Sequence, residues 1–149
     1  MSGREEAFMR LTDEVRRAFH QLAALAEGLH DEAGLAAGHR GVLESLWRSG
    51  EQTVPALARA RPVSRQHIQV LVNELIARRW VEARPNPAHR RSPLLGLTTK
   101  GRAVFEAMRE RERGWLSSAR LSVSVLEMDA ATETLRRLRE HLARAADPK

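Results

Sequence analysis

The chain has 149 residues, 42% of them hydrophobic and 30% charged, a balance that supports one folded domain and excludes both a disordered chain and two independent domains. It contains no cysteine, which excludes disulfides, thiol redox sensing and cysteine-bound zinc, and no run nears the roughly 18 apolar residues of a membrane span. Lys and Arg number 25 against 19 Asp and Glu, a formal charge of +6 carried almost wholly by arginine; such a surface suits phosphate and guanine contacts, although GC-rich codon usage produces the same bias.

The first ten residues mix both charge signs and lack an apolar signal core, so a cytoplasmic address is expected, with no membrane partner. Phe8, Leu11, Val15, Ala18, Leu22, Leu25 and Leu29 recur at alternating steps of three and four, which predicts a long first helix with a seam against another helix. Gly34 and Gly38 bracket the loop after it. A second helix is expected from about Gly38 to Trp47, burying Val42, Leu43, Leu46 and Trp47 and stopping at Ser49-Gly50. Pro55 suits the first turn of a third helix, which buries Leu57 and Ala58 and is broken by Arg61-Pro62-Val63. Ser64 reads as the N-cap of a fourth helix through Arg78, with Ile68, Leu71, Val72, Leu75 and Ile76 as its apolar stripe.

From Trp80 the pattern changes to short extended pieces. Trp80–Arg84 and Leu94–Leu97 flank a Pro-Asn-Pro turn and a basic tip, His89-Arg90-Arg91; Pro93 lacks a ladder donor, so the return strand pairs only beyond it. Thr98 caps a fifth helix from about Lys100 to Ala119, with Val104, Phe105, Met108, Trp115 and Leu116 inward. Asp129 caps a last helix carrying Leu135, Leu138 and Leu142, while Ser122–Met128 fits a strand, a helix or a turn equally. The terminal helices carry stripes that so small a chain cannot bury internally, which suggests that the ends pair across a dimer.

Helix, tight turn, helix and basic hairpin make a winged helix-turn-helix. The architecture expected is mainly α with a small β-hairpin wing: residues 1–34 as an N-terminal dimerisation helix, 35–99 as the DNA-binding region and 100–149 as C-terminal dimerisation helices, in one compact whole. At 100° per residue, Gln66, Gln69, Val70, Asn73 and Ala77 lie opposite the core face of the fourth helix. Amides can read adenine through a paired donor and acceptor, and valine can meet a thymine methyl. Arg65 and His67 flank this face near the helix start, and Ser64 with the first N–H groups can hold a phosphate. The bland alternative is an ordinary solvated helix face.

Leu57-Ala58, Val63-Ser64-Arg65-Gln66, Leu75, Val81, Arg84, Arg91 and Leu97-Thr98-Thr99-Lys100-Gly101 together resemble the MarR family of bacterial transcriptional regulators, in order and length over about residues 8–145. The Leu-Thr-x-x-Gly segment at the hairpin exit carries most of the resemblance. It implies a homodimer built by the first, fifth and sixth helices, recognition helices in successive major grooves of double-stranded DNA, wing arginines in the minor grooves, and a repressor released by a small-molecule effector. The implied DNA-binding set is Ser64, Arg65, Gln66, His67, Gln69, Val70, Asn73, Arg84, His89, Arg90 and Arg91. Three departures stand out. His89 replaces the Asp that commonly fixes the wing arginine. Arg79 replaces the Gly that ends the recognition helix. Ala36 and Arg40 replace a capping Thr and an aromatic residue at the start of the second helix.

His20, Arg40 and Trp47 form the candidate ligand pocket, but the blander readings are favoured: a half-buried structural histidine, an Arg40–Glu44 pair four residues on and a core tryptophan. His30, Asp31, Glu32 and His39 are the one cluster with metal-ligand types, but no tight His-x-x-x-His pair supports it; no metal or cofactor is expected. The chain shows no nucleophile–base arrangement, no Gly-rich phosphate loop and no His-Glu-x-x-His, so it is read as a regulator rather than an enzyme. The competing function of the same fold is a non-specific architectural DNA binder.

Overall fold

The computed structural model describes residues 2–30, 35–61 and 63–146, with the backbone alone at His30. Gly34 and Pro62, expected as loop and breaker positions, lie outside the described residues. The chain divides into two compact units, residues 1–114 and 115–149.

The first unit opens on α1 (Gly3–His30), started by a reciprocal cap in which Ser2 N–H donates to Glu5 (2.7 Å) and Glu5 N–H donates to Ser2 Oγ (3.3 Å). Its expected stripe is uncovered over most of its length, with Phe8, Leu11, Val15 and Leu22 exposed, and only Leu25 and Leu29 at its end are partly buried. α2 (Ala37–Ser49) starts one residue earlier than the glycine spacing suggests, so Gly38 is helical and not a loop position. Ala36 caps it without a side-chain acceptor; His39 Nδ1 instead accepts from the Ala36 N–H (3.2 Å), which closes the first turn from inside the helix. Gly50, at φ 75°, ends α2 as expected.

α3 (Val54–Ala60) takes Pro55 in its first turn and Thr53 as N-cap, with Thr53 Oγ1 accepting from Ala56 N–H (3.3 Å). α4 (Arg65–Ala77) is capped by Ser64, whose Oγ accepts from His67 N–H (3.1 Å). Ile68, Leu71, Val72 and Leu75 are buried, whereas Ile76 is 36% exposed. At 100° per residue Ile76 sits about 80° round from Ile68, at the margin of the stripe, where the core no longer reaches.

β1 (Val81–Arg84) and β2 (Leu94–Leu97) pair antiparallel, Val81 opposite Leu97 and Arg84 opposite Leu94, so pairing begins just after Pro93. Gln52 adds a bridge to Leu95 through two backbone hydrogen bonds (3.1 and 2.8 Å), anchoring the wing to the α2–α3 loop. α5 (Thr99–Ser118) is capped by Thr98, whose Oγ1 accepts from Gly101 N–H (2.9 Å). The core gathers Val42, Leu43 and Leu46 of α2, Leu57 of α3, the α4 stripe, Val81 and Leu95 of the wing, and Phe105 and Met108 of α5.

The second unit contains the end of α5 and α6 (Val125–Ala146), in which no residue is buried. Trp115 and Leu116, expected inward, are 37% and 49% exposed; they lie beyond Met108, the last buried residue of α5. Asp129 is not the cap of α6. Ser124 is: Glu127 N–H donates to its Oγ (3.3 Å), and the Glu127 carboxylate accepts from Ser124 Oγ–H (2.6 Å) and from Ser124 N–H (2.8 Å), bonds that in that order hold the carboxyl below its ordinary range. The ambiguous 122–128 stretch is irregular chain bent at Val123, followed from Val125 by the first turn of α6.

Candidate nucleic-acid interface

The outward face of α4 is built by periodicity. With Ile68, Leu71, Val72 and Leu75 in the core, Arg65, Gln66, His67, Gln69, Val70 and Asn73 are all exposed, Val70 at 51%. Gln69 Nε2 donates to Asn73 Oδ1 (2.9 Å) across one helical turn, so the two amides form a single unit. That bond leaves Gln69 Oε1 as an acceptor and Asn73 Nδ2 as a donor, the pair that an adenine edge complements. Glu74 is the lone acidic residue of α4, and its carboxylate is engaged by Nε2 of the buried His39 on α2. With Nδ1 accepting from Ala36 N–H, His39 donates from Nε2, and the acid is drawn toward α2.

The wing tip carries His89, Arg90 and Arg91, all exposed. Among the described residues neither arginine meets a carboxylate. The tip is closed without the Asp that His89 replaces. Asn86 Nδ2 donates to Ser92 O (2.9 Å), Ala88 N–H donates to Asn86 Oδ1 (3.1 Å), and Ser92 N–H donates to His89 O (3.2 Å). Asn86 was legible as a turn former in the Pro-Asn-Pro run, though not as the organiser of the tip. Arg84 stands apart from the tip arginines. It donates to Glu51 (2.9 Å) and to Glu82 (3.1 Å from Nε), and the hydrogen bonds to Glu82 raise its pKa above the ordinary guanidinium value. Glu82 shares its strand face, as spacing by two predicts, but Glu51 lies 33 positions away and no local pattern announces it.

The candidate pocket residues are distributed unevenly. Arg40 makes the expected bond to Glu44 (2.9 Å) and a bidentate pair with Glu112 of α5 (2.6 and 2.7 Å), whose hydrogen bonds raise its pKa against the opposing effect of burial. Trp47 packs on Phe105 at 5.8 Å between centroids, with the Arg109 guanidinium 4.2 Å from its own ring centroid. Its Nε1–H is buried without an acceptor. Arg40 also approaches Phe105, so Arg40 and Trp47 share one wall. His20 is exposed on α1, edge-on to Phe19 at 5.7 Å, and makes no hydrogen bond, ion pair or ring contact with either. Arg61, which the sequence offered only as a helix breaker, is half-buried nearby; burial lowers its pKa, and it hydrogen-bonds no carboxylate among the described residues. Of the metal-type cluster, Asp31 and Glu32 lie outside the described residues, as does the His30 side chain; no other group of three such ligands occurs among those described. No helix of the described residues is long and apolar enough to cross a membrane.

Against known proteins, a model of the MarR family matches residues 33–92, the span from before α2 through the wing tip. An uncharacterized protein of Mycobacterium tuberculosis, Rv2011c, is 32% identical over 134 residues, covering 86% of this chain and 94% of that protein. The crystal structure of the MarR family transcription regulator SP03579 is similar with a TM-score of 0.77 at 26% identity, over 96% of this chain and 95% of that one. The structure of reduced AbfR bound to DNA has a TM-score of 0.72 at 20% identity over 95% of this chain and 98% of that one, and shows the common fold. A winged helix with an amide-lined fourth helix, a two-stranded wing and a family match across both places this chain in the MarR family of transcription regulators.

Proposed function

We propose that the protein is a homodimeric repressor that binds a near-palindromic operator in double-stranded DNA and is released by a small-molecule effector, acting in the cytoplasm and without enzymatic chemistry. The observation that carries this reading is the α4 face, where exposed Gln66, Gln69, Val70 and Asn73 form an amide and apolar surface and the lone acid is drawn toward α2 by His39. AbfR supports it, since that protein of the same fold is described bound to DNA.

In this reading residues 35–99 form the DNA-binding region, and 1–34 with 100–149 supply the dimer helices. Half-sites lie about 10 base pairs apart, so that two recognition helices enter successive major grooves. Arg65, His67 and the Ser64-capped helix start position α4, while Gln66, Gln69, Val70 and Asn73 read base edges. Arg90, Arg91 and His89 enter the flanking minor groove or its phosphates. Arg84, engaged by Glu51 and Glu82, holds the base of the wing and reaches DNA only by exchanging those partners. The effector enters at the wall shared by Arg40 and Trp47, with Arg61 as the available cation and Trp47 Nε1–H as the available donor; His20 lies at the periphery. Such a ligand releases DNA only by preferring the arrangement in which the two α4 helices no longer match the groove spacing.

Selection of bound sequences from randomised duplexes tests the assignment. Gln69→Ala is expected to relax preference at one A·T position in each half-site, with a loss of about 1–3 kcal/mol of discrimination. Arg91→Ala is expected to weaken binding to every sequence alike and to flatten the salt dependence by about one unit per wing. Equal affinity of the native chain for selected and random duplexes would instead mark a non-specific architectural binder. An unchanged profile for Gln69→Ala would remove the amide pair from the reading surface.

A further inference from the structure

Where α4, β1 and α5 meet, the surface forms a groove of about 400 Å³ lined by Ala77, Arg78, Arg79, Trp80 and Lys100. Three of these five residues are cations and none is an acid. The Arg78 guanidinium lies 5.2 Å from the centroid of the Trp80 ring, and Arg79 and Lys100 are exposed.

The backbone under the groove is fixed from both sides. Trp80 N–H donates to Leu75 O (3.0 Å) and Arg79 N–H to Ile76 O (2.8 Å), the two bonds of a Schellman closure of α4. Thr98 Oγ1 donates to Arg79 O (2.7 Å) and Thr98 N–H to Trp80 O (3.1 Å), tying the same peptides to the start of α5. The closure puts Arg79 at φ 59°, the one positive φ at a non-glycine among the described residues. Glycine occupies that conformation at lowest cost, because an L side chain crowds its own carbonyl there. Since the backbone N–H groups of Arg79 and Trp80 already meet the Ile76 and Leu75 carbonyls, the Arg79 side chain is not needed to end the helix. An arginine held in a strained conformation beside two further cations, over a floor that cannot shift, suits a preorganised oxyanion site.

We propose that this groove binds a phosphate group, held by Arg78, Arg79 and Lys100. Its volume falls at the lower end of small-molecule sites, about 300–1,000 Å³, enough for a phosphate bearing a small organic substituent. The phosphate comes either from a free phosphorylated ligand or from the DNA backbone beyond the operator, and the chemistry of capture is the same. Apart from Ala77 at its edge, this site is separate from the outward face of α4; capture of a free anion stands whether or not that face reads bases, while the flanking-DNA source rests on the operator binding proposed above.

Line broadening of inorganic phosphate and pyrophosphate by ³¹P NMR, with the full chain and with chloride at matched ionic strength, gives the first measurement. Saturable binding is expected, weakened at least tenfold by Arg79→Gly and by Lys100→Gln. Arg79→Gly is expected to melt at a higher temperature than the native chain, so its loss of binding would not reflect unfolding. A second measurement compares a minimal operator duplex with one extended by a helical turn at each end. If Arg79→Gly lowers affinity severalfold for the long duplex only, the phosphate is that of flanking DNA. If phosphate binds saturably and duplex length makes no difference to the variant, it is a free ligand. The proposal is overturned if neither anion binds better than chloride and both variants keep the native dependence on duplex length, or if Arg79→Gly binds phosphate as the native chain does.

Discussion

Replacing Leu135 and Leu142 together by glutamate is expected to convert the protein to a monomer and to abolish operator binding. Both leucines lie on α6, which buries none of its own residues, and both are exposed, at 40% and 48%. With Leu138 between them they form a stripe at steps of three and four, and α1 presents a second such stripe in Phe8, Leu11, Val15 and Leu22. Covering a half-exposed leucine contributes about 1 kcal/mol, and a two-fold axis counts each substitution twice. The pair therefore removes about 4 kcal/mol, on the order of a thousandfold in the dimer dissociation constant, before the cost of burying glutamate is added. Sedimentation velocity reads the oligomeric state and gel shift reads the DNA binding. The core of the first unit, from Val42 to Met108, is untouched, so helicity by circular dichroism should persist. A variant that remains a dimer of native stability would remove α6 from the dimer interface.

Gly101→Ala is expected to act on the fold itself. A Cβ at position 101 would lie 1.8 Å from Trp80 O and 2.6 Å from its carbonyl carbon, a contact with backbone that no rotamer change relieves. Trp80 is tied to Leu75 through its N–H and to Thr98 through its carbonyl, so relief requires α5 to lift away from the base of the wing. Overpacking typically costs 1–3 kcal/mol, and a backbone clash this close belongs at or above the upper end. A fall of about 10 °C in melting temperature is expected, measured by calorimetry. DNA affinity should fall as well, since the wing and α4 both depend on the Trp80 peptide for their relative placement. A native-like melting curve would show that α5 approaches Trp80 less closely than it does here.

The Gly101 clash and the α6 stripe differ in how visible they are in the amino-acid sequence. Leu97-Thr98-Thr99-Lys100-Gly101 marks the wing exit and the start of α5 locally, because a threonine cap and a small residue in the first turn are short-range features. The α6 leucines declare an apolar face equally clearly, but not what covers it. Trp115 and Leu116 show the difference, since their spacing on α5 matched that of Phe105 and Met108 and yet they are exposed. Asp129 failed as a cap for a local reason: Ser124 with Glu127 forms a reciprocal cap one turn earlier, and a pair of bonds prevails over a single acidic residue.

The interface divides in the same way. Gln66, Gln69, Val70 and Asn73 could be placed on one outward face from the 3.6-residue period alone, and the basic tip from its turn formers. The bonds that decide how those residues can act could not. His39 draws Glu74 toward α2, Glu51 with Glu82 engages Arg84, and Glu112 takes Arg40 from across the chain. Each joins positions brought together only by the fold, apart from the Glu82–Arg84 pair on one strand.

From its sequence alone, this chain determined its helices, its wing, the inward and outward faces of α4 and its family, because periodicity, caps and turn residues act over a few positions. The tertiary structure decided which arginines meet a distant carboxylate, which apolar stripes are left uncovered, and that Arg79 takes a left-handed backbone beside Lys100. Charge pairing and burial depend on distance in space, and residues 33 to 72 positions apart meet only when the whole core has formed.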